Sequence, residues 1–315
     1  LAAASVRNLV LFGGGWSSSG ASNVVDIYNV TSNTWTKATL SEARWWLAAT
    51  SVANRYALFA GGWTGKGRSN VVDIYDSETG TWSTATLSQA RHRLAAASLG
   101  NLAFFGGGQL ENRKPSDRVD IFDASTQTWS TATLSEARYE LAAAAAGDFV
   151  VFGGGTVDYK SSSAVVDLYC VNSKTWYTAC LSEPRHWLAA TSVGNKVFFA
   201  GGYNRNVDKY ADVVDVFEVP NADLVASSQQ QTQSSSTTNS NSNFDTPLQL
   251  RTLNTSLQQL TLGNDISYYD LKFGDQIGRG AFGEVYKATY RGKSVAVKKL
   301  FVGQGYSYYF VFNYK

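Results

Sequence analysis

A period of 47 residues runs through the first two thirds of this chain. Leu1, Leu47, Leu94, Leu141 and Leu188 each open a segment of small residues, LAAASVRN, LAATSVAN, LAAASLGN, LAAAAAGD and LAATSVGN, at spacings of 46, 47, 47 and 47. Each segment leads into an aromatic run that ends in glycine: LVLFGGG, YALFAGG, LAFFGGG, FVVFGGG and KVFFAGG. VVDIY follows at Val24 and Val71, RVDIF at Arg118, VVDLY at Val165 and VVDVF at Val213. Trp35, Trp82, Trp129 and Trp176 then open WTKATL, WSTATL, WSTATL and WYTACL, and Arg44, Arg91, Arg138 and Arg185 close the units. A unit this short cannot bury both its faces, so the repeats are expected to fold only as a stack.

Within a unit, four short segments rich in β-branched and aromatic residues alternate with clusters of Gly, Ser, Asn and Asp. That is the signature of strands and turns. Apolar runs such as VVDIY, in which alternation is imperfect, fit strands covered on both faces, as in stacked propeller blades. The Ala and Ser of the first segment suit an innermost strand that crowds an axis. The glycine pairs allow positive φ and close approach of a neighbour. The fold class is therefore all-β.

The ordered set of double glycine (Gly61-Gly62, Gly201-Gly202 and equivalents), Tyr or Phe in VDIY, Trp about seven residues later and a closing Arg resembles the Kelch repeat family. The resemblance covers residues 1–219 and implies a β-propeller, here with five repeats, the last ending at VVDVFEV without a Trp strand. It also implies that the propeller binds a protein or peptide through its rim loops. The loops between second and third strands differ among repeats (WSSSGASN, WTGKGRSN, QLENRKPSD, TVDYKSSSA, YNRNVDKYAD), as do the residues beside each closing Arg. The candidate partner-binding residues are Arg44 with Trp45, Arg91 with His92, Arg138 with Tyr139, and Arg185 with His186. Aromatic and Arg anchors dominate interfaces. Because the Arg recurs in every copy, however, a structural hydrogen bond to loop carbonyls is the favoured role for it. Some Kelch propellers are copper enzymes, but copper requires clustered ligands. The only histidines, His92 and His186, lie two blades apart, so no metal site is expected.

Net charge is +2, made up of 18 basic and 19 acidic residues in 1–219 and 9 and 6 in 220–315. Neither part is polybasic, so no sequence-independent attraction to nucleic acid is expected. No apolar run reaches the length of a membrane helix, and a cytoplasmic location is the default expectation. Cys170 and Cys180 are the only cysteines, and both are expected to be free, buried thiols. Met is absent and the chain opens at Leu1, which predicts a fragment.

From Ala226 to Asn243 the chain reads ASSQQQTQSSSTTNSNSN, a composition too polar to bury a core, so 220–267 is expected to be a disordered linker. Within it, Leu250, Leu253, Leu257 and Leu260 recur at helical spacing and predict a short amphipathic helix. Residues 268–300 carry a second motif. Gly278, Gly280 and Gly283 fit GxGxxG, a weak signal alone. A dinucleotide-binding glycine loop opens a helix. Here EVYKATY, an Arg291-Gly292 turn and SVAVK follow instead, which reads as strand, turn, strand. This resembles the first three strands of a tyrosine-kinase-like (Raf-like) Ser/Thr protein kinase, with Lys298 in the VAVK position. The resemblance implies ATP binding by Ile277, Gly278, Gly280, Gly283, Val285, Ala296 and Lys298: glycines admit phosphate to backbone N–H groups, Val285 and Ala296 frame the adenine, and Lys298 neutralises phosphate. It further implies a parent enzyme that uses ATP with magnesium. The helix Glu, the HRD loop and the DFG aspartate of a kinase do not follow, and after Glu284 there is no acidic residue. Residues 301–315, FVGQGYSYYFVFNYK, read as an aberrant aromatic tail, so this chain is expected to be catalytically incomplete. The competing expectation is a non-enzymatic Kelch scaffold or ubiquitin-ligase adaptor with a vestigial kinase segment.

Overall fold

The computed structural model describes residues 1–219 and, beyond them, 261–262, 266–267, 271–280, 283–290, 292–302 and 306–313. The chain divides into two compact units. One comprises Leu1–Ala145, Phe149–Ser192 and Phe198–Asp215, and the other Ala146–Asp148, Val193–Val197 and Val216–Lys315.

Each of the first four repeats is a four-stranded antiparallel sheet whose strands follow chain order from one edge to the other. In the second, Ala48–Val52 pairs with Tyr56–Ala60, that strand with Val71–Asp76, and that with Thr81–Thr86. The third runs through Ala95–Leu99, Leu102–Gly106, Arg118–Asp123 and Thr128–Thr133. The fifth has three strands, Ala189–Val193, Lys196–Ala200 and Val214–Glu218, as the missing Trp segment predicts. The small-residue strands are innermost, and Ala48–Val52 adjoins both Ala2–Val6 and Ala95–Leu99 of its neighbours. Ala and Ser stand there because adjacent inner strands leave no room for larger side chains. This is the Kelch-type propeller arrangement that the repeats imply.

The outer half of each sheet is fixed by an aromatic pair. Tyr28, Tyr75, Phe122 and Tyr169 stand opposite Trp35, Trp82, Trp129 and Trp176 in the ladder. Their ring centroids are 5.0, 5.2, 5.2 and 5.0 Å apart. Cross-strand aromatic pairs are among the most favourable contacts a sheet can make. The face carrying them packs on the preceding sheet. Phe59, Tyr75 and Trp82 close over Leu11, Val25 and Ile27, and Phe105 and Phe122 over Leu58, Val72 and Ile74. Phe152, Tyr169 and Trp176 close over Phe104, Val119 and Ile121. Trp35, whose face meets no sheet among the described residues, is 61% exposed.

Gly107 shows what the glycine pair does. Its φ is +68°, and an added Cβ would lie 2.5 Å from the carbonyl oxygen of Arg138. Gly61 and Gly154 meet Arg91 and Arg185 at the same 2.5 Å. The next glycine donates its N–H to that carbonyl, Gly108 to Arg138 at 2.8 Å.

Cys170 and Cys180 are free, but they are not buried as expected: Cys170 is half-buried and Cys180 exposed. Among the described residues the strand that Cys180 ends pairs only with Val165–Cys170, so one side of that strand's last residue faces out.

In the second unit, Leu271–Gly280, Gly283–Tyr290 and Lys293–Val302 form the three expected strands. The aromatic stretch Tyr306–Asn313 adds a fourth, so the sheet gains an edge that the sequence reading left as tail. The predicted linker and the leucine helix fall outside the described residues.

Replacing Gly107 by Ala is expected to destabilise the fold by roughly 2 kcal/mol or more through combined φ strain and backbone collision. Gly100→Ala meets nothing within 4 Å at a φ of +58°, and is expected to cost about 1 kcal/mol. Urea unfolding of both variants checks the difference.

Candidate functional site

The four closing arginines are completely buried. Each reaches across to the Asp of the next repeat's VDIY strand: Arg44 to Asp73, Arg91 to Asp120, Arg138 to Asp167 and Arg185 to Asp215. Arg91 Nη2 donates to Asp120 Oδ2 at 2.6 Å and to the Phe105 carbonyl at 2.9 Å. Arg44 donates to the Val71 and Phe59 carbonyls at 2.7 and 3.1 Å. The second carboxylate oxygen accepts the backbone N–H of Ser41, Ser88, Ser135 or Ser182 at 2.9 to 3.0 Å. Burial pulls Arg44, Arg91 and Arg138 below the ordinary guanidinium value, and the facing carboxylates oppose it. These arginines are internal latches between blades and are closed to a partner. Of the two roles weighed for them, the structural one holds, though a carboxylate is a partner as well as the loop carbonyls.

The residues beside them are also largely enclosed. His92, Tyr139 and His186 are 3%, 2% and 0% exposed, and Trp45 is half-buried. Their backbones join the two variable loop sets. Trp45 pairs with Trp63, His92 with Gln109, Tyr139 with Thr156 and His186 with Tyr203, each through isolated antiparallel bridges. The loop between second and third strands of one repeat and the closing loop of the preceding repeat therefore form one continuous rim.

Both histidines are neutral. Arg205 Nη2 donates to His186 Nε2 at 3.1 Å, and a guanidinium has no acceptor. His186 therefore carries its proton on Nδ1 and donates it to Ser162 Oγ at 2.9 Å. Burial, then Arg205 and Arg93, lower its pKa to about 4. His92 donates from Nδ1 to the Gln109 carbonyl at 3.2 Å, and burial with Arg93 and Arg68 brings it also to about 4. Among the described residues no group of three or more His, Cys, Asp or Glu is placed to hold a metal ion.

One residue further along, the rim shows Trp46 and Trp187 to solvent, while Arg93 is half-buried and Glu140 buried. Trp46, Arg93, Glu140 and Trp187 recur at the 47-residue interval, and all four have positive φ, between 55° and 60°. Left-handed backbone is uncommon for such residues. Here it is held by a belt of hydrogen bonds between blades: Arg93 N–H to Trp46 O at 2.8 Å, Glu140 N–H to Arg93 O at 2.9 Å and Trp187 N–H to Glu140 O at 3.1 Å. Trp46 and Trp187 are 46% and 59% exposed. Between them, Arg93 stacks on Trp46 at 4.1 Å and pairs with Glu140 at 2.5 Å. The variable pairs that follow each closing Arg are Trp45-Trp46, His92-Arg93, Tyr139-Glu140 and His186-Trp187, and the second residue of each pair, outside the candidate set, is the one that stands in this belt.

In the second unit, Gly280 pairs with Gly283 across the glycine turn, Gly278 with Val285, Val285 with Lys298 and Lys287 with Ala296. Alternation thus gives positions 285, 296 and 298 one face of the sheet. Ala288, Val295 and Val297, buried at 2%, 4% and 0% exposure, hold the other. Ile277 is 46% exposed.

Residues 1–137 match the family described as the KLHDC2/KLHL20/DRC7 Kelch-repeats domain. The structure of YjhT superposes with a TM-score of 0.56 at 17% identity, covering 69% of this chain and 80% of that one, a likeness of fold. The chain therefore carries a Kelch-repeat domain folded as a propeller. It is also similar to two Dictyostelium discoideum proteins, probable serine/threonine-protein kinase drkB (46% identity over 52 residues) and drkA (52% over 42). A third likeness is to the putative serine/threonine-protein kinase/receptor R826 of Acanthamoeba polyphaga mimivirus, 53% identical over 36 residues. These stretches are 16%, 13% and 11% of this chain and only 8%, 6% and 2% of those proteins. No helix among the described residues is long and apolar enough to cross a membrane.

Arg138→Met is expected to leave Asp167 buried without its partner and to cost about 3–5 kcal/mol, measured as a lower urea midpoint. The histidines set a pH window. The unfolded chain takes up protons near 6.5 and the folded one near about 4. Stability from this source is therefore complete above 6.5, falls as pH drops through the window and falls no further below it. A His92→Gln, His186→Gln double variant is expected to lose less stability than the parent between those values.

Proposed function

We propose that this chain joins a partner-binding Kelch propeller to the first strands of a tyrosine-kinase-like Ser/Thr protein kinase, and that the propeller brings partners or substrates to the kinase of the full-length parent. The observation that carries the kinase half is the register of the second sheet. A glycine hairpin closed at Gly280 and Gly283 leads to a strand in which Val285 pairs with Lys298. Backbone N–H groups freed by glycine can approach phosphate, and a lysine held one strand away supplies charge to it. Likenesses over 36 to 52 residues to three proteins named as serine/threonine kinases support this reading. In the parent, Ile277, Gly278, Gly280, Gly283, Val285, Ala296 and Lys298 would hold ATP.

For the propeller half, support comes from the Kelch family match and from the exposed Trp46 and Trp187 on a rim whose backbone is fixed. The second reading, a scaffold with a vestigial kinase segment, is favoured by one observation: the VAVK strand is followed by a paired strand, Tyr306–Asn313, where a kinase carries the helix whose Glu holds the lysine.

Purified chain incubated with ATP, magnesium and a generic protein substrate is expected to transfer no phosphate above background. ATP affinity by calorimetry is expected to be weak or absent. Phosphorylation that collapses in Lys298→Met would contradict the incomplete-kinase reading. A parent transcript without HRD and DFG motifs downstream would favour the scaffold.

A further inference from the structure

Four indoles and an imidazole run together across the rim of the first two repeats. Trp16 lies 4.4 Å from Trp45, which lies 5.7 Å from Trp46 and 6.2 Å from Trp63. His92 closes the group at 5.5 Å from Trp46 and 5.6 Å from Trp63. The outer members are open to solvent, Trp16 at 64% and Trp46 at 46% exposure. Single exposed apolar residues are ordinary, but a contiguous aromatic patch marks a site of association.

The charges around the cluster decide what it can take. The guanidinium of Arg93 sits 4.1 Å over the Trp46 ring and that of Arg68 4.5 Å over Trp63. Each is also committed to a carboxylate, Arg93 to Glu140 at 2.5 Å and Arg68 to Glu111 at 3.2 Å. An acidic ligand would have to displace those carboxylates. A cationic ligand would meet like charge, since a guanidinium already lies over one face of Trp46 and of Trp63. A sugar needs several polar groups waiting for its hydroxyls, whereas Trp45 and Trp63 spend their backbone N–H and C=O on each other at 3.0 and 2.8 Å.

Two things are left unspent: the outward indole faces, and the indole N–H of Trp16 and of Trp46, neither of which makes a hydrogen bond among the described residues. Their complement is a chain with rings to stack, carbonyls to donate to and few donors of its own. Proline-rich polypeptide has these properties. Proline lacks the N–H, and the polyproline II helix leaves every carbonyl without an internal partner while its conformational entropy is already spent. Tryptophan, apolar along its body and a donor at one end, is suited to that backbone.

We propose that the Trp16–Trp45–Trp46–Trp63 cluster docks an uncharged, proline-rich segment of a partner protein in the polyproline II conformation, a proposal that rests on the reading of the propeller as partner-binding. The test uses the full chain and three probes: a fluorescein-labelled ten-proline peptide, an aspartate-rich peptide of the same length, and a linear maltooligosaccharide. Binding is read by fluorescence anisotropy for the peptides and by tryptophan emission for all three. The proline peptide is expected to bind saturably, with a Kd that changes less than about twofold between about 0.05 and about 0.5 M NaCl. Trp16→Ala and Trp46→Ala are each expected to weaken it by about tenfold, with thermal midpoints within a few degrees of the parent. Tyr210→Ala, which removes an aromatic residue of the fifth repeat that is 75% exposed, is expected to leave it unchanged. Tighter binding of the aspartate-rich peptide, abolished by Trp46→Ala, overturns the proline assignment and leaves rim recognition standing. Tighter binding of the sugar, proline binding indifferent to Trp16 and Trp46, or no proline binding at all overturns it outright.

Discussion

The first unit depends on a buried ion pair repeated between neighbouring blades. Moving a guanidinium and a carboxylate out of water costs several kcal/mol each, and the attraction between them repays this only when the remaining donors and acceptors are also used. That condition explains the company each pair keeps. Arg44, Arg138 and Arg185 fill both outer nitrogens with an aspartate and neighbouring carbonyls, Arg91 does so through Nη2 alone, and each aspartate uses its other oxygen on a serine N–H. The Arg comes from one repeat, and the Asp and a carbonyl from the next. A repeat taken alone would bury half a latch, so the latch enforces stacking as much as the apolar faces do. The glycine pair belongs to the same device, since the carbonyl of each latch arginine occupies the space a side chain would need.

This internal use of the most regular residues has a functional consequence. Side chains invariant across the repeats are consumed by the interior, and what remains for recognition is the position that the latch and the belt hold in place without specifying. Trp46, Arg93, Glu140 and Trp187 share a backbone conformation that costs free energy for any residue but glycine. The belt hydrogen bonds are made by backbone atoms alone. They therefore tolerate any side chain, and one backbone carries the exposed indoles of Trp46 and Trp187, the half-buried guanidinium of Arg93 and the buried carboxylate of Glu140.

Much of this was legible in the sequence. Period, strand number per repeat, the short fifth repeat and the role of the small-residue strand all follow from spacing and side-chain size. The eight rim candidates were less well read, because adjacency in sequence does not distinguish two neighbours of which one turns inward. His92, Tyr139 and His186 look like recognition residues by chemistry, yet their backbone bridges to Gln109, Thr156 and Tyr203 draw them under the loops. Cys180 shows the reverse error, a residue typically buried that a strand end leaves exposed. Repeat position guides only half of this reading: what is identical in all copies holds the copies together, whereas a position that changes can turn inward, as at His92 and Glu140, or outward, as at Trp46 and Trp187.

The same distinction between ladder and display applies to the second sheet. Residues Tyr306–Asn313 had been set apart because they match no kinase element, yet they are rich in aromatic and β-branched side chains, the composition that favours a pleated surface. They pair along the strand that carries the VAVK motif, with Lys298 opposite Phe310 and Val297 opposite Val311. An edge strand with open N–H and C=O groups is a liability that proteins cover, and this stretch covers one. Its relation to the other three strands therefore rests on backbone hydrogen bonding, which asks only for an extended chain of suitable residues.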